Sequence, residues 1–279
     1  MQPTTTLPQQ GAMRSVWLIS QFELTRLFLT KRGAVLLAAF AIVWFLILKY
    51  PVSYSVGILG NESFGDNITV FSSQLNLDYL LQWAYSEVAV YWLFAIFIFP
   101  FIAVLMTSDQ TASDATRGTI RFLLLRTSRN QLLFGRFIGQ LIIISILIAL
   151  TMFAAFAMGV WREPGSALTA IPQLLLVASN LVLVCLPFIA LMALFNSWIQ
   201  SSKLSVVFTI ILLPIVTGII SWLSGHISVL EHLLMAIPGV QLTDTVQMAS
   251  FHYSSITIPL VQTAAYLGLA QFVLTRKAL

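Results

Sequence analysis

Apolar residues run through this chain in six long stretches, each near the roughly 20 residues that a helix needs to cross a hydrocarbon core of about 30 Å. The stretches predict spans over 33–53, 88–106, 134–160, 174–195, 204–223 and 256–274. The first is uninterrupted up to Leu48, and Lys49 is placed to snorkel to the interface beyond it. Prolines 100, 187 and 214 fall inside the second, fourth and fifth spans; Pro100 is a candidate kink, and proline is tolerable at such depths where neighbouring helices or water re-satisfy the freed carbonyls. Between the fifth and sixth spans, Val229 to Ile237 and Thr243 to Ala249 read as short helices broken at Pro238-Gly239. Leu75 to Tyr85 reads as an amphipathic surface helix in the other long connection, 51–87. No internal repeat or composition shift marks a second domain, so the chain divides into a polar tail, 1–12, and one membrane domain, 13–279.

Composition agrees: 58% of the 279 residues are hydrophobic and only 9% charged, against about 25% charged in soluble domains. The net charge of +4 comes from basic residues that flank apolar runs rather than forming a patch. That pattern sets membrane orientation and gives no reason to expect nucleic acid. Twelve of the 14 Lys and Arg residues fall on one side of a six-span arrangement, leaving Lys49 and Arg162 on the other. The positive-inside rule makes the twelve-residue side cytoplasmic, with both termini on it. The first apolar run lacks a small-residue cleavage site and reads as a retained signal anchor. Cys185 is the only cysteine and can form no internal disulfide.

The connection between the second and third spans carries the most information. It reads Ser113-Asp114-Ala115-Thr116-Arg117-Gly118-Thr119-Ile120-Arg121-Phe122-Leu123-Leu124-Leu125-Arg126 and continues through Thr127-Ser128-Arg129 to Phe134-Gly135-Arg136. Ser128 with Gln131 has the spacing of a capping box opening the third helix. The segment before it, apolar with interleaved arginines, reads either as a face presented to a partner or as a basic inner loop that only fixes topology.

These residues resemble the cytoplasmic loop of ABC-2-type transporter permeases, which show an acidic residue, Gly-Thr, a leucine-rich turn and a Gly-Lys element before the third helix. Here Asp114 stands where glutamate is usual, Arg136 replaces the lysine, and Thr127-Ser128-Arg129 lacks the common proline. Ile19 to Arg26, followed by Lys31-Arg32, is similar to the family's N-terminal interfacial helix, although its apolar face is not clean on a helical wheel. Leu233 to Leu242 looks like the family's short external helices.

The resemblance implies an all-α membrane fold with six transmembrane helices, an N-terminal interfacial helix, a cytoplasmic coupling helix and short external helices. It also implies a dimer with a second permease copy or a paralogue, in the bacterial inner membrane, and export as the direction. A separate ATPase subunit would hold ATP and Mg²⁺, with no cofactor or metal bound by this chain. The implied coupling element is Asp114, Arg117, Gly118, Thr119, Leu123, Leu124 and Leu125, with Glu23 and Arg26 in the interfacial helix nearby.

Several absences are consistent with this division of labour. The chain has no Gly-x-x-x-x-Gly-Lys-Ser/Thr loop, no His-Glu-x-x-His pair and no Gly-x-Ser-x-Gly elbow. Charges inside the spans, which cost about 2.5–3.5 kcal/mol each at a helix centre, are scarce, and this argues against an ion-coupled transporter. His226, His232 and His252 share one outer segment without a compact ligand spacing and read as solvated or capping residues. Asn180, Asn196, Ser197, Gln200 and Ser201 read as interhelical hydrogen-bonding groups more readily than as a path lining. The alternative to a permease is a membrane-embedded enzyme or assembly factor acting on lipid or envelope components, for which the outer histidines are the only catalytic candidates.

Overall fold

The computed structural model describes residues 11–54, 80, 83–108, 127–199, 201–227, 229–246 and 253–276. Among them every regular element is helical: α1 (Ala12–Leu29), α2 (Lys31–Ile47), α3 (Ser86–Thr107), α4 (Arg129–Arg162), α5 (Ala167–Ile199), α6 (Ser202–Val207), α7 (Leu213–Ser224), α8 (Val229–Leu234), α9 (Leu242–Val246) and α10 (Tyr253–Arg276). Six helical stretches are long and apolar enough to cross a membrane: 33–52, 86–107, 129–162, 164–199, 202–224 and 253–276. All six expected runs are therefore found, the third and fourth lengthened to 34 and 36 residues.

The breaks in these spans follow from proline geometry. A proline ring inside a helix collides with the carbonyl four residues earlier. At Pro51 the helix widens into a π turn (Leu48–Val52). Ahead of Pro214 a second π turn (Phe208–Leu212) divides the fifth span into α6 and α7. Pro100 and Pro187 are instead carried inside continuous α3 and α5. Between α1 and α2 the chain bends at Thr30, whose hydroxyl caps α2 by accepting from the Gly33 N–H at 3.1 Å. Gly33 is required there, because a Cβ would stand 1.9 Å from the Leu27 carbonyl oxygen.

The core centres on α3, with 67% of its apolar window buried, and on α5, with 61%. Trp44 and Phe40 of α2 stack on Tyr91 and Phe99 of α3, with ring centroids 5.1–6.3 Å apart. The buried Tyr91 hydroxyl meets Thr151 Oγ1 of α4 at 3.0 Å. At one end of the bundle, Asn196 Nδ2 of α5 donates to the Thr107 carbonyl that closes α3 (3.0 Å). Arg129, opening α4, donates to the Leu274 carbonyl near the end of α10. At the other end Arg162 grips Glu87 through two hydrogen bonds of 2.8 and 3.1 Å. Beside them Tyr85 donates to the Glu163 carbonyl at 2.8 Å and lies so close to Gly159 that a Cβ there would be 2.6 Å from its ring.

The segment between α7 and α10 carries the two short helices α8 and α9, and the turn joining them packs against the bundle. Gln262 Nε2 of α10 donates to the carbonyl of Met235 at 2.6 Å and lies 3.4 Å from that of Ile237, and the Tyr266 hydroxyl donates to the Ala236 carbonyl. Gln262 and Tyr266 are nine and 13 residues into the 24-residue α10, about 14 and 20 Å along it. The turn between α8 and α9 thus reaches towards the middle of the sixth span. Gly239, at φ +100°, sits against Phe188 of α5. Irregular backbone is tolerated at such depth only where protein supplies partners for its carbonyls, and Gln262 and Tyr266 are those partners. Residues 247–249 of the second expected short helix, and most of 75–85, lie outside the described residues.

Gln262→Leu should lower stability by about 1 kcal/mol, the net worth of a part-buried hydrogen bond to the Met235 carbonyl. Tyr266→Phe should cost less, and the double variant should depart from additivity because both side chains hold one turn. Thermal unfolding of the purified chain in detergent measures all three.

Candidate functional site

The site is built where α1 packs against the first turns of α4. Ser128 caps α4 as the sequence predicted: its hydroxyl accepts from the Gln131 N–H (3.2 Å), and the Gln131 side chain accepts from the Ser128 N–H (2.9 Å). Two turns on, Gly135 and Gly139 bracket Arg136, and the missing side chains admit α1. A Cβ on Gly135 would lie 2.7 Å from Ile19 Cβ, and one on Gly139 would lie 3.0 Å from Glu23 Cβ. The pairings advance in the same sense along both helices, so α1 passes α4 side by side at backbone distance. Ser20 Oγ fastens the crossing by donating to the Gly135 carbonyl at 2.8 Å.

This close approach encloses a charge cluster. Glu23 and Arg136 are each 2% exposed. The Glu23 carboxylate accepts a hydrogen bond from Gln140 Nε2 at 3.1 Å. Arg136 Nε stands 3.7 Å from its other oxygen, and Arg26 Nη1, on the more open side, stands 3.9 Å from the oxygen that Gln140 bonds. The ionic distances exceed hydrogen-bonding range, so attraction there is Coulombic in a poorly solvated site. Removing water from both charges is costly, and the pair holds because each answers the other.

The same contact accounts for the blurred amphipathicity of α1. Its protein-facing stripe contains Ser15, Ser20 and Glu23, all buried, while Trp17 and Phe22 are more than half exposed. Polar residues face the protein, and large apolar ones face outwards. A helical wheel read for an apolar buried face therefore finds no clean stripe.

A model of the family described as "ABC-2 family transporter protein" matches residues 17–274, nearly the whole chain and including both α1 and the α4 junction. The chain belongs to the ABC-2 transporter family. A comparison with curated proteins gives no match. As a member of this family, with six apolar helices, the chain is a membrane component of a transporter and not itself an enzyme.

Of the residues singled out from the sequence of this ABC-2 protein, Glu23 and Arg26 are brought together in the buried cluster. Asp114, Arg117, Gly118, Thr119, Leu123, Leu124 and Leu125 lie outside the described residues, between the end of α3 at Thr107 and the cap of α4 at Ser128. Arg136, which stands in place of the lysine of the family's loop and counts among the basic residues of the cytoplasmic side, is buried two turns inside α4, within the third expected span. The signal that could have found it is the spacing Gly135-x-x-x-Gly139 around a basic residue, which marks close helix approach. Gln140, Gln262 and Tyr266 carried no comparable signal, because a lone amide or phenol in an apolar run does not name its partner. Asn196 plays the interhelical role expected of it. His226 is exposed and stacks on Trp222, with centroids 5.5 Å apart, and His232 is exposed. His252 lies outside the described residues. No group of three or more metal-binding side chains occurs among the described residues.

Arg136→Met should cost about 3–5 kcal/mol, because it removes the buried countercharge beside the Glu23 carboxylate. Combining it with Glu23→Gln should recover much of that loss, since neither charge then needs an answer. Unfolding of the two variants in mixed micelles tests the coupling, and additive losses would disprove it.

Proposed function

We propose that this chain is the permease subunit of an ATP-driven exporter, working as a dimer in the bacterial inner membrane with both termini cytoplasmic. A separate ATPase docks on the connection between α3 and α4, where Asp114, Arg117, Gly118, Thr119 and Leu123–Leu125 form the contact element. The observation that carries this reading is the buried Glu23–Arg136–Gln140 junction. It ties α1 to the part of α4 that directly follows the connection, so a push on the connection moves two helices as one. A buried ion pair resists rotation and sliding of its two helices, because either motion separates desolvated charges. The coupling segment is thereby joined to a rigid lever rather than to a flexible tether.

Support for orientation comes from the charge count, with twelve of 14 basic residues on the side of that junction. Support for a dimer comes from the fifth span, only 11% buried in a single copy. None of the 12 residues of α7 is buried, so much of its surface is left for a second copy to cover. The path for the transported molecule then lies along α3 and α7 between the two copies.

Purification of the full-length chain from its native membrane should bring down an ATP-hydrolysing subunit. Arg117→Glu and Gly118→Pro should lose that partner while retaining normal chromatographic behaviour and melting. Glu23→Gln with Arg136→Met should keep the partner but uncouple its hydrolysis from the membrane subunit. An intact chain with no ATPase attached, in detergents that preserve other membrane complexes, would overturn the reading.

A further inference from the structure

An apolar groove of about 550 Å³ opens between α3 and the fifth span, backed by Phe188 of α5 and by the turn at Pro238-Gly239. Phe97 and Phe101 form one wall; the other runs from Thr209 through Pro214 and Gly218 to Ser221. The 13 residues from Thr209 to Ser221 make the groove about 18 Å long, a little more than one leaflet of a hydrocarbon core about 30 Å thick. Two of its three hydroxyls are spent internally: Thr209 donates to the Ser205 carbonyl at 2.9 Å, and Thr217 to the Leu213 carbonyl at 2.8 Å. Apart from Ser221 at its far end, the groove therefore offers surface to a chain of methylenes rather than donors to a polar body.

One charge stands at its foot. Lys203 lies six residues before Thr209 on the same span, about 9 Å below the groove, at the end where Trp198 is exposed. Lys203 is itself exposed and makes no ion pair with any described residue. A lysine stem can run along apolar surface and present its ammonium at the interface, where basic groups between spans attract anionic head groups. We propose that the groove takes an acyl chain of an anionic bilayer lipid, with the head group at Lys203, and that such lipids are the class of molecule this subunit moves. The second clause rests on the permease reading above; the binding itself does not.

The test uses the full-length chain in nanodiscs with a photoactivatable phosphatidylglycerol, its reactive group near the end of the acyl chain, and the matching phosphatidylcholine. The phosphatidylglycerol probe should label peptides of α3 and α7. Gly218→Trp should abolish that labelling by filling the groove, and nothing within 4 Å opposes a Cβ at this position. Thr217→Trp serves as a second filling variant should the first lose its native melting. Lys203→Gln should reduce phosphatidylglycerol labelling about five-fold, the effect of one lysine near an anionic head group, and leave phosphatidylcholine labelling unchanged. Labelling that survives both filling variants overturns the groove as the site, and equal labelling by the two lipids overturns the role of Lys203.

With the ATPase bound, phosphatidylglycerol should stimulate hydrolysis in wild type and not in Gly218→Trp; binding without stimulation overturns the substrate assignment. Labelling needs neither ATP nor partner, so its failure leaves the ATPase reading standing. Loss of the partner with labelling intact counts against that reading alone.

Discussion

In hydrocarbon there is no water to answer a stray carbonyl or charge, so each polar group brought to depth must carry its partner with it. The turn between α8 and α9 obeys this constraint through two side chains of another helix. Gln262 and Tyr266 answer the carbonyls of residues 235 to 237, and Gly239 adopts a positive φ beside Phe188. The turn can therefore sit among α3, α5 and α10 instead of outside them. Its position in turn shapes the back of the groove beside α7. Much of the membrane-facing architecture on that side thus depends on a few hydrogen bonds.

The charge cluster at the α1–α4 crossing obeys the same constraint with larger energies at stake. Gly135 and Gly139 remove the side chains that would hold α1 away, and Ser20 bonds across the contact. Closeness excludes water from Glu23 and Arg136 and makes each the other's countercharge. A joint of this kind is stiff by construction, because any movement that parts the helices exposes two ill-solvated charges to one another's absence. Stiffness beside the α3–α4 connection is what the proposed lever, driven from outside the membrane, requires. The opposite end of the bundle has its own clasp in Glu87 and Arg162, so α3 and α4 are joined there as well.

The fifth span contrasts with both. Pro214 divides it through a π turn, and its second half has no buried residue in one copy. A helix this loosely attached is a poor structural member of a single subunit. It is well suited to being covered by a second copy or by lipid, and to moving when the rest of the bundle is pushed.

The six spans were legible in the sequence because hydrophobic length alone decides whether a helix crosses a bilayer. The cap of α4 was legible because Ser128 and Gln131 are three residues apart, and the prolines marked positions that matter to helix geometry. The family could be read from the combination of Asp114, Gly118-Thr119, the leucine run and Gly135-Arg136. The sequence did not reveal that Arg136 lies buried against Glu23, 113 positions away, or that Gln262 and Tyr266 serve the carbonyls of a turn nearly 30 residues earlier. Local pattern reports what one segment prefers, and it carries no record of which distant segment supplies the partner for a buried charge or carbonyl. Spans and caps were therefore determined by the sequence itself. The polar pairings that fix α1 to α4 and draw the α8–α9 turn inwards were decided by tertiary structure, because only packing removes the water that makes those pairings necessary.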